Sequence, residues 1–318
     1  GVAPILFNSS LLYFVRVTGN PKMGLVSTLV MAVLDIFFNW LLAGVFKMGM
    51  FGLALGTSLS YTASCAICVG YVLTGKCSLK LTKPQKVLKQ TGSIINLGLP
   101  SAMNNLTNVV RGVALNVIVA TTLGVGVLNV MSAQSAVNNI VGCASLGIGF
   151  AISPLVGIFF GEQDDSAIVG TMNRAMRFGL ILNVVFAGLL ALLARPIAGW
   201  FNTGSAENMA MIVRAIYWVA ISLPFTMISY TFTCFYQNAK HPGLANLLIL
   251  SKTVVFCIAF VYLTIGFLAD NAVWISALFS NVMSMVLVVA VVWIRNKKFP
   301  TSMRELLLLP KAWDTGAP

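Results

Sequence analysis

Long apolar runs, separated by short polar turns, dominate the chain. Their boundaries predict eight full-length spans and a shorter leading one. The leading run covers Gly1 to Thr18 and stops at Gly19-Asn20-Pro21. The next two cover Met23 to Phe46 and Gly49 to Leu73. A polar stretch follows from Lys76 to Gln90, with five lysines and Pro84, and reads as a linker containing an interfacial helix. Six further runs cover Ile94–Leu123, Leu128–Phe160, Ala167–Leu193, Met209–Tyr236, Leu244–Leu268 and Ala272–Ile294. About 20 apolar residues cross a bilayer as a helix, so each full-length run predicts a membrane span. Gly142, Gly147, Gly149 and Pro154 predict a bend in the fifth. The tail from Arg295 is polar and basic apart from Leu306–Leu309.

Composition sharpens this into a class. Of 318 residues, 58% are apolar and 9% charged, against about 25% charged in an average soluble domain. So few charges cannot cover a soluble surface. That excludes an ordinary soluble enzyme and a disordered chain, and predicts an all-α, polytopic membrane protein. The formal net charge is +12, but the basic residues lie between apolar runs rather than on one solvated face, so nucleic acid is not the expected partner. With the Lys76–Lys89 linker placed in the cytoplasm, fifteen Lys and Arg fall inside and only Lys47, Arg195 and Arg214 outside. This positive-inside bias puts the carboxy terminus in the cytoplasm of a multi-pass protein of the inner membrane. The six cysteines read as small buried hydrophobes, and Cys65/Cys68 lie in an apolar run with no second pair, so no metal site is expected. Residue one is Gly rather than Met, and the chain reads as a piece of something longer.

A shift of 221 residues aligns Asn20-Pro21 with His241-Pro242 and matches Phe14 with Phe235, Leu29 with Leu250, Val33 with Val254 and Leu42 with Leu263. In both places a long span, a Pro turn, a second span and a short loop follow in order. Transporters are often built from such repeats. With a six-helix unit, residues 94–298 form a complete second half and residues 1–75 the end of a first. Residues 76–93 are then the linker and 299–318 the tail.

Three ionisable residues fall at membrane depth: Asp35, Arg111 and Lys252. Such groups are costly there and are functional candidates. Asn39 lies one helical turn after Asp35. Asn39 and Thr57 stand at equal counts on either side of Met48, each about 13 Å from the hairpin turn at 1.5 Å per residue. Their oxygens and the Asp35 carboxylate therefore converge between adjacent helices, as a hard cation or a proton needs. The alternative is that Asn39 and Thr57 bond across helices and nothing more. Arg111 has three readings: it pairs with Asp35, faces an anionic substrate, or binds a backbone carbonyl. Lys252 is near enough to the cytoplasmic end to snorkel. Gln134, Asn138 and Asn139 either line a cavity or bond between helices. His241 stands alone in a turn and is assigned no chemistry. The chain lacks HExxH and GxSxG, so an enzyme is not expected.

Several of these segments resemble one family. Gly19-Asn20-Pro21-Lys22, Leu34-Asp35-Ile36-Phe37-Phe38-Asn39 and Gly49-Met50-Phe51-Gly52-Leu53-Ala54-Leu55-Gly56-Thr57 are similar to the fourth-to-sixth helix region of the MATE multidrug exporters. Gly98-Leu99-Pro100 resembles the start of their seventh helix. Pro154-Leu155-Val156-Gly157 with Gly161-Glu162-Gln163-Asp164 resembles the end of their eighth. The resemblance implies two six-helix lobes in an inverted V, of which this chain carries eight helices and part of another. It implies antiport of organic cations and drugs against protons or sodium by a monomer, with no cofactor beyond the coupling ion. It also implies that Asp35, Asn39 and Thr57 form the first-lobe cation site, with Asp and Asn exchanged relative to the family. One branch of the family has a Glu eight residues after the Gly-Leu-Pro proline. Here that position is Asn108, which leaves Asn108, Arg111, Gln134 and Asn138 as substrate-cavity candidates. The alternative is a flippase for a lipid-linked saccharide of the same superfamily. Its pyrophosphate would call for several cavity cations, and only Arg111 and Lys252 are available.

Overall fold

Unit one, Gly1–Val87, is a helical hairpin with a third helix against it. Helix α1 (Val2–Val17) precedes α2 (Pro21–Asn39), which continues into a π-helical turn, π1 (Trp40–Val45), and then α3 (Gly49–Leu73). The computed structural model describes residues 2–17, 21–74, 87–201, 206–239 and 242–309. The predicted turn at 18–20, linker residues 76–86, His241 and the tail beyond 309 lie outside them. In π1 the N–H of Phe46 reaches back five residues to the Leu41 carbonyl at 2.9 Å. Lys47 and Gly49, both with positive φ, reverse the chain.

Every fourth residue of α3 is small and buried: Gly52, Gly56, Ser60, Ser64 and Cys68. Lipid is as apolar as leucine, so membrane helices associate by close backbone approach and hydrogen bonds rather than by burying large apolar groups. The packing follows that rule. Leu29, Val33 and Ile36 of α2 and Met50 of α3 point outward and are exposed.

Unit two, Leu88–Pro318, holds the remaining helices. They are α4 (Val87–Thr122), α5 (Val125–Glu162), α6 (Asp165–Leu192), α7 (Ala194–Phe201), α8 (Ala206–Asn238), α9 (Pro242–Leu250), α10 (Cys257–Leu268), α11 (Asp270–Asn296) and α12 (Met303–Leu306). A second π-helical turn, π2 (Ser251–Phe256), joins α9 to α10. Helix α8 is the central member, packed by α5, α6 and α11. One core cluster gathers Val119, Val130, Ile216, Leu223 and Trp274. A second gathers Val156, Ile168, Met172, Phe235 and Leu307.

All regular structure among the described residues is helical. Seven of the helices are long and apolar enough to cross a membrane. Two of the nine predicted runs are helical but outside that set. Helix α1 has only 16 residues, and α4 is interrupted by Asn104, Asn105, Asn108 and Arg111. Helix α4 also starts at Val87, earlier than the apolar run at Ile94. Helix α7 was not expected after the Arg195-Pro196 break. It buries Ala194 and Ala198 and exposes Trp200. Helix α5 runs unbroken through Pro154.

Asp164 caps α6 by accepting the Ala167 N–H at 2.9 Å. That bond and one from Ser166 hold its carboxyl below the usual carboxylate range. The chain end described here docks on the same region. Arg304 pairs with Asp165, the Tyr236 hydroxyl donates to the Leu306 carbonyl at 2.5 Å, and Leu307 is fully buried. Tyr236→Phe should therefore lower stability by about 1–2 kcal/mol through an orphaned carbonyl. Thermal unfolding in detergent measures this. Limited proteolysis should also cut sooner after residue 300, and an unchanged cutting rate would show that the bond does not hold the segment.

Candidate functional site

Asp35 accepts a hydrogen bond at each carboxylate oxygen, from two different helices. The Asn39 Nδ2 donates to Oδ2 at 3.1 Å, one turn along α2. The Ser60 Oγ donates to Oδ1 at 3.1 Å, across from α3. Ser60 also lies 2.8 Å from the Thr57 carbonyl. An ionised carboxylate only accepts, so the nitrogen end of the Asn39 amide must face Asp35. Its Oδ1 then points to α3. That oxygen is buried and has no hydrogen-bond partner among the described residues. It sits where a side chain on Gly56 would be, 2.6 Å from the position a Cβ would take. Only glycine allows the amide to turn this way against α3.

This constellation differs from the expected one in a single member. Asp35 and Asn39 lie together. Thr57 contributes its main-chain carbonyl, while the hydroxyl on the carboxylate belongs to Ser60, which the sequence reading did not single out. Counting residues from the turn gives depth but not the direction a side chain faces. The buried face of α3 is the Gly52–Gly56–Ser60–Ser64–Cys68 stripe, and Thr57 is one residue, about 100°, off it. The four-residue spacing of small residues is the signal that pointed to Ser60.

The same stripe carries a second polar cluster, farther along α3. Ser64 Oγ donates to Asn8 Oδ1 at 2.9 Å and lies 2.8 Å from Ser27 Oγ. Ser27 Oγ is 3.2 Å from Cys68 Sγ. All four residues are buried, and the cluster ties α1, α2 and α3 together. Chemically, the unit offers one carboxylate, an unpaired amide oxygen and hydroxyl and carbonyl oxygens beside it. That set can hold a proton or a small hard cation.

The cavity candidates of unit two are placed as follows. Asn108 is exposed and bonds back to the Asn104 carbonyl at 2.8 Å on its own helix. Arg111 and Gln134 are partly buried, and Asn138 is exposed. No hydrogen bond joins these four among the described residues. The polar seam of the unit lies elsewhere. Asn281 donates to Thr226 Oγ1 at 2.9 Å, and Ser229 and Ser284 hydroxyls meet at 3.3 Å, both between α8 and α11. Ser145 donates to Asn183 Oδ1 at 2.8 Å between α5 and α6. The buried Ser276, Ser280 and Ser284, again four apart, were the available signal. Lys252 lies on π2 and is partly buried.

Comparison with known proteins adds an independent line. A family model described as MatE matches residues 100–263. The probable multidrug resistance protein NorM of Chromobacterium violaceum is 27% identical over 153 residues, covering 43% of this chain and 33% of that protein. Among solved structures, an outward-facing multidrug resistance MATE family transporter of the MOP superfamily aligns with a TM-score of 0.83 at 19% identity, over 92% of this chain and 66% of that one. A MOP superfamily transporter from Pyrococcus furiosus, described by the reverse polarity of its binding pocket, aligns with a TM-score of 0.82 at 17% identity, over 92% and 66%. At these identities the likeness of the solved structures is one of fold. The aligned region spans a third of the curated relative's length and about two thirds of each solved chain.

Proposed function

The chain belongs to the MatE family, and from that premise we propose that it is a secondary active exporter of drug-like organic cations in exchange for protons or sodium, with Asp35 as the coupling carboxylate. One observation carries the reading. Among the described residues Asp35 is the only Asp or Glu in the interior of a long apolar helix, since the other described acids lie at helix ends or in the short α12. It is bound by donors from two neighbouring helices, so its charge state bears directly on how α2 meets α3.

Ionised, Asp35 takes the hydrogens of Asn39 and Ser60. Protonated, one of its oxygens becomes a donor, and the Asn39 Oδ1 becomes its acceptor once the amide turns over. A sodium ion would instead draw on the Asp35 oxygens, the Asn39 Oδ1 and the Ser60 hydroxyl, all oxygen ligands. Either event neutralises the site and changes which arrangement of the transporter is favoured, the basis of alternating access. The chain works as a monomer in the inner membrane, with the tail beyond α11 on the cytoplasmic side, as the Lys and Arg bias implies.

The test is a vesicle assay on the purified protein. An imposed pH or sodium gradient should drive the movement of a fluorescent organic cation against its own gradient. Dye movement that ignores both gradients would overturn the reading.

A further inference from the structure

The end of α11 carries a feature that the coupling reaction does not use. Helix α11 has 27 residues, about 40 Å at 1.5 Å per residue, against about 30 Å of hydrocarbon. Its ends therefore reach the headgroup layers. Val282, Val286 and Trp293 are exposed at spacings of four and seven, so one face of the helix is turned to lipid up to that level. From there every residue from Trp293 to Phe299 is exposed, between the buried Val292 and the buried Pro300.

This run has a defined chemistry. Trp293, Ile294 and Phe299, at its two ends, are 55%, 76% and 62% exposed. Arg295, Lys297 and Lys298 lie between them. Among the described residues the ion pairs are Arg214–Asp270 and Arg304–Asp165, so none of these three cations is neutralised by one. Lys298 adds to the field at Glu305 but forms no ion pair with it, and Glu305 accepts the Thr301 N–H at 2.7 Å instead. The run is also anchored on both sides. Lys297 has φ 52° and ends the helix in a conformation that usually falls to glycine. Beyond it, Pro300 and Leu307 are buried, Tyr236 holds the Leu306 carbonyl and Arg304 pairs with Asp165. Three cations are thus presented beside apolar rings, on a loop fixed at each end, where the span meets the bilayer surface.

We propose that Arg295, Lys297 and Lys298 form a docking site for the headgroup of an anionic phospholipid, with Trp293 and Phe299 seated in the interface on either side. Each basic side chain next to a span strengthens binding to an anionic lipid surface by about fivefold. The rings that bracket the cations fit the boundary between headgroups and acyl chains, and a free phosphate offers them nothing. The site concerns lipid rather than cargo and stands apart from the coupling carboxylate.

Fluorescence quenching of the protein in reconstituted vesicles tests this. Trp293→Phe removes one indole, and the difference from the wild type isolates Trp293. Brominated phosphatidylglycerol should bind beside Trp293 at least about tenfold more tightly than brominated phosphatidylcholine. Lys297→Gln and Lys298→Gln should each lower that ratio by about fivefold, and together bring it close to one, with thermal unfolding unchanged. Arginine at both positions should keep it. Equal quenching by the two lipids in the wild type, a Trp293 that neither lipid quenches, or an unchanged ratio in the Gln variants overturns the site. Loss of the preference on adding millimolar inorganic phosphate at constant ionic strength would overturn the choice of a lipid as the occupant.

Discussion

Replacing Asp35 with asparagine should abolish ion-driven dye movement, by about a hundredfold or more. A ligand shifts a conformational equilibrium only through its different affinity for the two states, and moving a balance from one extreme to the other takes a very large difference. Asparagine keeps the size of aspartate and still accepts from Ser60, so α2 and α3 should pack as before. It cannot change charge, so neither a proton nor sodium is left with a preference between states. Downhill dye binding should survive while the dependence on the imposed gradient disappears. Ser60→Ala should give a graded version, about a tenfold weaker ion dependence, because a hydrogen bond to a charged group contributes about 1.5–3 kcal/mol. Thr57→Val should have little effect, since Thr57 takes part through its main chain. An Asp35→Asn protein that keeps the wild-type gradient dependence would place coupling elsewhere.

Adding a single methyl group at Gly52 or Gly56 should cost about 1–3 kcal/mol each, the range for overpacking. A Cβ at Gly52 would lie 2.9 Å from the Leu42 carbonyl carbon and oxygen, in π1. One at Gly56 would lie 2.6 Å from Asn39 Oδ1 and 3.2 Å from main-chain atoms of Phe38 and Asn39. These neighbours are mostly backbone and cannot rotate away, so α3 must move off the hairpin. Gly56→Ala carries a second consequence. It pushes Asn39 from its position beside Asp35, so ion dependence should weaken along with stability. Gly70 supplies the control on the same helix, because its Cβ position is open. Gly70→Ala should be neutral or slightly stabilising, as alanine is the better helix former. Thermal unfolding in detergent distinguishes them, and equal effects at Gly56 and Gly70 would show that the close approach is not what holds the hairpin.

Much of this was readable from residue order. The run Gly49–Leu73 predicted α3 to the residue, because a helix in lipid must satisfy its own backbone and its length is set by the bilayer. The lone mid-span acid was visible by inspection. The π-helical turns were not, since Trp40–Val45 and Ser251–Phe256 are ordinary apolar sequence and the extra residue in the turn is accommodated by packing. Nor was the docking of Leu307 beneath α8, which a basic tail with a short leucine run does not specify.

Apolar run length, charge bias and motif order thus determined, without coordinates, an all-α membrane protein, the order of its helices and the mid-span place of Asp35. They did so because hydrophobic thickness and helical rise are the same in every such protein. Only the tertiary structure decided which residues meet. Ser60 rather than Thr57 reaches the carboxylate, and Ser64 meets Asn8, 56 positions earlier in the chain. Residue count sets a side chain's height along a helix. Its direction is set by the rotation of that helix about its axis, and that rotation is chosen by the small residues that let a neighbouring backbone approach.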